Sequence, residues 1–196
     1  MIHSDGERQA PKNLEEAEVT HLARYRFALR FARRDETCLD APCGSGYGTA
    51  LLSGKSKSVY GVDINRGAIN HAKEFFSKPN SYFGVADIEN IVFEDDSFDR
   101  IISFEGIEHI QNPGSFLSEA RRILKPGGAM IISTPRKPHG SPYHIREFSL
   151  DEFKGELSQY FNVRNVFGQI YTDIFSLEKK VNPMDYKKFN FIAYCT

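Results

Sequence analysis

A chain of 196 residues with 40% apolar and 26% charged residues can bury a full core as one domain and has the makeup of a globular protein. Its net charge of −1 argues against a dedicated nucleic-acid binder, and three cysteines without C-x-x-C spacing (Cys38, Cys43, Cys195) suit neither a disulfide frame nor a zinc knuckle. No apolar run approaches the roughly 18 residues of a membrane span, and the polar N-terminus lacks a signal-peptide core, so a cytoplasmic setting without a membrane partner is expected.

Met1 to Asn13 is polar with a proline and reads as a flexible segment ahead of a single domain over 14–196. Leu14 to Arg34 reads as a helix, with Leu22, Tyr25, Leu29 and Ala32 at helical spacing. It also carries Arg24, Arg26, Arg30, Arg33 and Arg34, which form either a solvated basic face or a contact for an anionic substrate. Cys38-Leu39-Asp40 is a short strand that enters a glycine turn, Gly44-Ser45-Gly46-Tyr47-Gly48, and then a helix from Tyr47 to Ser53. That helix points its N-terminal amides at whatever occupies the turn. Ser58 to Val62 is a second strand ending at Asp63, 23 residues after Asp40. The spacing is close to the roughly 20-residue step at which an acid meets a ribose diol in nucleotide-binding α/β folds.

Ala68, Ile69, Ala72 and Phe76 mark a helix running to about Lys78, and Tyr82 to Ala86 is a third strand leading into Asp87 and Ile88. Phe98 to Phe104 is a fourth, with the continuous apolar character of a strand covered on both faces. Phe116, Leu117, Ala120, Ile123 and Leu124 define the next helix, which Lys125-Pro126-Gly127-Gly128 stops before a fifth strand from Ala129 to Ser133. This alternation predicts a doubly wound, mostly parallel α/β sheet with helices on both faces. Leu150 to Tyr160 then reads as a helix, and Phe161 to Ile170 and Lys188 to Tyr194 as strands. Two strands in succession suit a hairpin, so the last strand should be antiparallel.

Asp40-Ala41-Pro42-Cys43-Gly44-Ser45-Gly46 followed by Gly61-Val62-Asp63 resembles the first two motifs of class I S-adenosylmethionine-dependent methyltransferases, and the resemblance runs from about Arg24 to Phe167. The alternative for this stretch alone is a dehydrogenase, but its G-x-G-x-x-G pattern would place the third glycine one residue later. The resemblance implies a seven-stranded Rossmann-like sheet and S-adenosylmethionine as cofactor. It also implies roles. Tyr25, in His21-Leu22-Ala23-Arg24-Tyr25, would cover the methionine end, and Gly44 and Gly46 would admit the methionyl part against backbone. Asp40 would orient the loop or bind the amino group through water, with Tyr47 and Phe104 also counted as cofactor-binding. Asp63 would accept from both ribose hydroxyls, Ile64 would face adenine, Asp87 would accept from the adenine amino group and the Ile88 amide would donate to the ring.

Glu105-Gly106-Ile107-Glu108-His109 follows the fourth strand directly. On a short helix, Glu105, Glu108 and His109 would share one face, and His144 after the fifth strand would return over the same mouth. Two carboxylates and two imidazoles suit a divalent cation with open positions, Mg²⁺ or Mn²⁺. The same residues also suit a metal-free site in which His109, His144 and Glu108 are catalytic, or simple helix capping. The pattern resembles small-RNA 2′-O-methyltransferases, where Glu-x-x-Glu-His plus a later His holds magnesium. Ubiquinone-biosynthesis O-methyltransferases share the first half, and glycan-linked methyltransferases carry a His-x-x-Glu-Phe like that from His144 to Phe148. Gly106 stands where a bulkier apolar residue is usual. The expected function is methyl transfer to a hydroxyl of a small molecule or glycan. An RNA ribose acceptor ranks second, a non-catalytic SAM-binding partner subunit third, and no DNA partner is expected.

Overall fold

The computed structural model describes residues 9–177 and 189–196. In chain order these form α1 (Val19–Ala28), β1 (Thr37–Asp40), α2 (Tyr47–Ser53), β2 (Ser58–Asp63), α3 (Arg66–Phe75), β3 (Ser81–Val85) and β4 (Phe98–Phe104). A 3-10 turn (Ile107–His109) follows, then α4 (Pro113–Ile123), β5 (Leu124–Pro135), α5 (Leu150–Ser158), β6 (Val163–Ile170), β7 (Asp173–Ser176) and β8 (Asn190–Cys195). One sheet takes all the described strands in the order β3-β2-β1-β4-β5-β8-β6-β7. β1 to β5 pair in parallel, whereas β8 runs antiparallel between β5 and β6.

The alternation of side chains along the central strands divides the core in two. Leu39, Ile101, Met130 and Ile132 enter the layer under α4 and α5, while Cys38, Ile102, Ile131 and Ile192 enter the layer under α1 and α2. This is the doubly wound α/β arrangement expected, with helices on both faces. Local signals set the helix starts: Asn65 accepts from the Ala68 amide at the head of α3, and Ser149 and Glu152 form a capping box on α5.

Several boundaries differ from the sequence reading. Leu124 to Gly128, expected to end a helix and break the chain, are extended backbone that opens β5, so that strand runs Leu124–Pro135 and not Ala129–Ser133. The expected helix over 14–34 is reduced to α1, because Asn13 Oδ1 accepts from the amides of Glu15 and Glu16 and holds a turn ahead of it. Two residues of the segment expected to be flexible meet α3: the buried Pro11 accepts through its carbonyl from His71 Nε2 at 2.7 Å, and Lys12 stands over the Phe75 ring. The sheet also gains an eighth strand over the seven expected. β7 folds back on β6 through Tyr171 and Thr172, and Tyr171 takes a φ of 54° without being glycine, so no turn signal marks it. The expected start of the last strand at Lys188 lies outside the described residues.

Ile101 is fully buried at the centre of β4. Truncation by Ile101→Ala is expected to cost about 2–5 kcal/mol, read as a lower urea midpoint at unchanged slope.

Candidate functional site

The first four parallel strands end on one side of the sheet, and their termini carry most of the polar groups singled out by the sequence. Asp40 closes β1 with no exposed surface; Tyr25 donates to its Oδ1 at 3.0 Å and Thr49 to its Oδ2 at 2.6 Å. Tyr25 lies edge-on to Tyr47 and Phe104, and the Tyr47 hydroxyl meets His21 Nδ1 at 2.8 Å. Tyr25, Asp40, Tyr47 and Phe104 are therefore all buried, as a polar and aromatic wall behind the turn. Its inner members bond to neighbouring side chains instead of presenting their own to solvent.

The turn itself is fixed by packing. Gly46, the residue before α2, has a φ of 90°, and a Cβ there would lie 2.4 Å from that of Ala72 on α3. At the end of β2, Asp63 Oδ2 accepts from the Gly44 amide at 3.0 Å and Oδ1 from the Asn65 amide at 2.8 Å. Ile64 follows with 66% of its surface exposed, an apolar side chain left open beside that carboxylate. Asp87, just past β3, is exposed and accepts from the Glu89 amide, whereas the Ile88 side chain is buried in the core under α4. Two surface concavities of about 400 and 540 Å³ lie around Asn90 and Glu119 on the α4 side, and neither includes Gly44, Asp63 or Glu108.

Beyond β4 the geometry departs from expectation. Glu105 takes a φ of 52°, so it does not begin a helix, and its side chain turns towards β5 and β8. Ser133 donates to Glu105 Oε1 at 2.7 Å, Asn190 donates to Oε2 at 2.8 Å and Arg24 Nη2 stands 3.8 Å away. Burial raises the Glu105 pKa, but Arg24, His21 and the two donors outweigh it and hold the carboxyl below the usual range. The shared helical face expected for Glu105, Glu108 and His109 is thus absent; Glu105 belongs to a separate polar cluster with the buried Arg24.

Glu108, His109 and His144 do come together, with one ligand atom from each within 4.8 Å of the others. Glu108 is 1% exposed, and Thr134 donates to its Oε2 at 3.1 Å. Burial, and then the charge of Glu105, push its carboxyl well above the usual range. Its backbone carbonyl accepts from the Ile145 and Arg146 amides at 2.9 and 3.2 Å, which clamps the loop carrying His144 onto the turn. His109 Nδ1 lies 3.2 Å from the Tyr143 carbonyl, so that nitrogen carries the proton. In the neutral ring this leaves the lone pair on Nε2, which stands 4.0 Å from Glu108 Oε1. His144 packs edge-on to His109 and stacks on His139, with Nδ1 3.7 Å from Glu147 Oε1. Glu147 accepts from the His139 and Gly140 amides, which hold its carboxyl below the usual range.

Sequence reading missed Thr49 and Thr134, whose hydroxyl partners arise only when strands and helices meet in space. It also missed His139 and gave no role to Glu147, although His-x-x-x-x-His-x-x-Glu in one loop was a usable signal. Gly106 has a definite reason here: a Cβ on it would lie 2.4 Å from Pro42 Cδ.

The methyltransferase domain family model matches residues 39–132. A probable S-adenosylmethionine-dependent methyltransferase of Mycolicibacterium smegmatis is 32% identical over 135 residues, 65% of this chain and 51% of that protein. A 2-phytyl-1,4-naphtoquinone methyltransferase of Trichormus variabilis is 27% identical over 71% of this chain and 64% of its own length. The chain thus spans about half the length of the first of these relatives. Among solved structures, the complex of the Haloferax volcanii Trm112 methyltransferase activator with a methyltransferase matches with a TM-score of 0.75 at 21% identity, covering 90% of this chain and 89% of that one. A TehB-like SAM-dependent methyltransferase of Corynebacterium glutamicum gives 0.69 at 23% identity, covering 89% and 86%.

Two tests follow from this geometry. Gly106→Ala is expected to lose about 1–3 kcal/mol through the clash with Pro42, and Pro42→Gly in the same chain should recover part of it, so a double-mutant cycle on urea midpoints should show coupling. Burial pushes the Asp40 carboxyl from 3.8 up to about 7, against the Thr49 and Tyr25 hydrogen bonds that favour its charge. Between those values the folded chain holds a proton that the unfolded chain has released, so stability should fall as pH rises from about 4 to about 7. Asp40→Asn should flatten that slope in cofactor-free protein; an unchanged slope would count against it.

Residues 39–132 are thus similar to the methyltransferase domain family, and the chain shares the fold of the solved methyltransferases it matches.

Proposed function

We propose that the chain is an S-adenosylmethionine-dependent methyltransferase that acts on a hydroxyl of a small molecule or glycan. The rim at the ends of β1 and β2 suits the adenosyl cofactor. Gly44 has open space on the side where a Cβ would stand, Asp63 retains acceptor capacity on both oxygens, and Ile64 offers an exposed apolar face. When bound, that cofactor supplies a sulfonium methyl group: the acceptor oxygen forms the O–CH3 bond as the S–CH3 bond breaks, and the electron pair of the broken bond stays on sulfur. The protein's part is to position the acceptor and to take its proton.

The observation that carries the hydroxyl assignment is the meeting of Glu108, His109 and His144 just past β4. A hydroxyl must lose a proton during transfer, and the His109 Nε2 lone pair, fixed by the Nδ1–H to Tyr143 contact, suits that task. Glu108 and His144 would orient the acceptor and share the proton. An RNA ribose acceptor is the second reading, favoured by Arg136, Lys137, His139 and Arg146 in the same loop over the mouth. It requires binding that falls steeply with salt. The activator complex among the structural neighbours also raises dependence on a second chain as a mode of regulation.

Glu108→Gln is expected to lower methyl transfer at least tenfold while leaving S-adenosylmethionine affinity within a factor of two. Transfer to a panel of phenols, sugars and oligonucleotides, with affinity from calorimetry, provides the check. A large loss of cofactor affinity would contradict the assignment of Glu108 to the acceptor side.

A further inference from the structure

Tyr171 opens the two-residue turn between β6 and β7, a position at which such hairpins favour glycine or asparagine. It holds a φ of 54° all the same, a left-handed backbone that is unfavourable for a bulky residue. The residue is 69% exposed, so packing of its ring does not offset that cost. We propose that Tyr171 is a specificity-determining residue on which, given the hydroxyl-transfer reading above, a ring of the methyl acceptor stacks.

Strand register sets Tyr171 at the mouth. Pro135 at the end of β5 pairs with Asn190 on β8, and Asn190 with Gln169 on β6, so the β6–β7 turn lies just past the row that closes β5. Hydrogen bonds join that row to the end of β4. Asn190 donates to Glu105 Oε2 at 2.8 Å, Arg24 Nη1 donates to Gln169 Oε1 at 2.8 Å, and Arg24 Nη2 stands 3.8 Å from Glu105. Gln169 Nε2 then donates to the Tyr171 carbonyl at 2.7 Å and to the Thr20 carbonyl, next to the exposed Val19, at 2.8 Å.

Among the described residues, three that are not glycine take a positive φ: Asp96, Glu105 and Tyr171. Two of these, Glu105 and Tyr171, are the ends of this one network. Arg24 and Gln169 in its middle are buried, so the groups that hold the Tyr171 backbone are themselves fixed in place. Unfavourable backbone that rigid neighbours impose gathers where ligands are gripped. Tyrosine offers a large, stiff apolar face with a polar tip. The matching chemistry is a flat ring beside the acceptor hydroxyl, either an aromatic ring or the apolar face of a pyranose.

The test is saturation-transfer NMR on the full chain, with and without S-adenosylhomocysteine, using catechol and methyl glucoside as ring probes. Tyr171→Gly is expected to lose at least fivefold of the signal on the ring protons of one probe, with Tyr171→Phe within a factor of two of the wild type. The probe affected tells an aromatic acceptor from a sugar. Tyr171→Gly should also raise the urea midpoint, since glycine takes left-handed backbone freely, and should leave S-adenosylhomocysteine affinity within a factor of two. Where a probe is methylated, its KM should rise at least fivefold with kcat within twofold. The proposal is overturned by a higher midpoint with unchanged probe signals, by a lower midpoint, by an unchanged KM, or by no signal from either probe with the wild type. Absence of methyl transfer to any acceptor, with the probe signal still lost in Tyr171→Gly, would strike the transfer reading and leave Tyr171 as the residue that holds the ring.

Discussion

A single buried carboxylate ties the glycine-turn side of this molecule together. Asp40 receives one hydroxyl from α1, through Tyr25, and another from α2, through Thr49. These contacts dock both helices against the end of β1, where the chain must turn sharply through Gly44 and Gly46. Burying such a group is unfavourable, as its raised pKa records, and hydrogen bonds to both oxygens offset part of that cost. The gain is geometric: with α1 and α2 held to one point, the Gly44 amide is presented to Asp63, and the turn and the end of β2 become one rim.

On the other side of the mouth, Glu105 and Glu108 stand three residues apart in opposite environments. Glu105 faces Arg24 and two neutral donors, so its charge is favoured. Glu108 is enclosed by Thr134 and the clamped loop, and the nearby charge of Glu105 works against its ionisation. Neighbouring carboxyls whose pKa values are pushed apart can take different parts in one reaction. The left-handed backbone at Glu105 is the local cause of this division, because it sends one side chain to α1 and β8 and leaves the next turn to aim the other at His109 and His144.

Much of the fold was legible in the sequence because β4 and β5 are buried on both faces and so read as continuous apolar runs, bounded by glycine or acidic residues. The glycine turn and the acids at Asp40 and Asp63 were legible for the same reason, as each closes a strand. The β6–β7 hairpin was not, since Tyr171 adopts a positive φ without the glycine or asparagine that marks such turns. The direction of Glu105 was equally hidden. Spacing alone assumes helical backbone, and Glu105 left that conformation to meet Ser133 and Asn190, residues brought near by strand order and not by sequence distance. Pro42 and Gly106 illustrate a third kind of limit: each looks unusual alone, and only their contact explains the pair.

The most direct measurement is calorimetric titration of S-adenosylmethionine into the wild-type chain and into Asp63→Ala. Micromolar affinity that the substitution abolishes, with the variant still folded by circular dichroism, is the expected result and would secure the rim at Gly44 and Asp63 as the cofactor site. No binding by the wild type, or equal binding by the variant, would contradict that assignment.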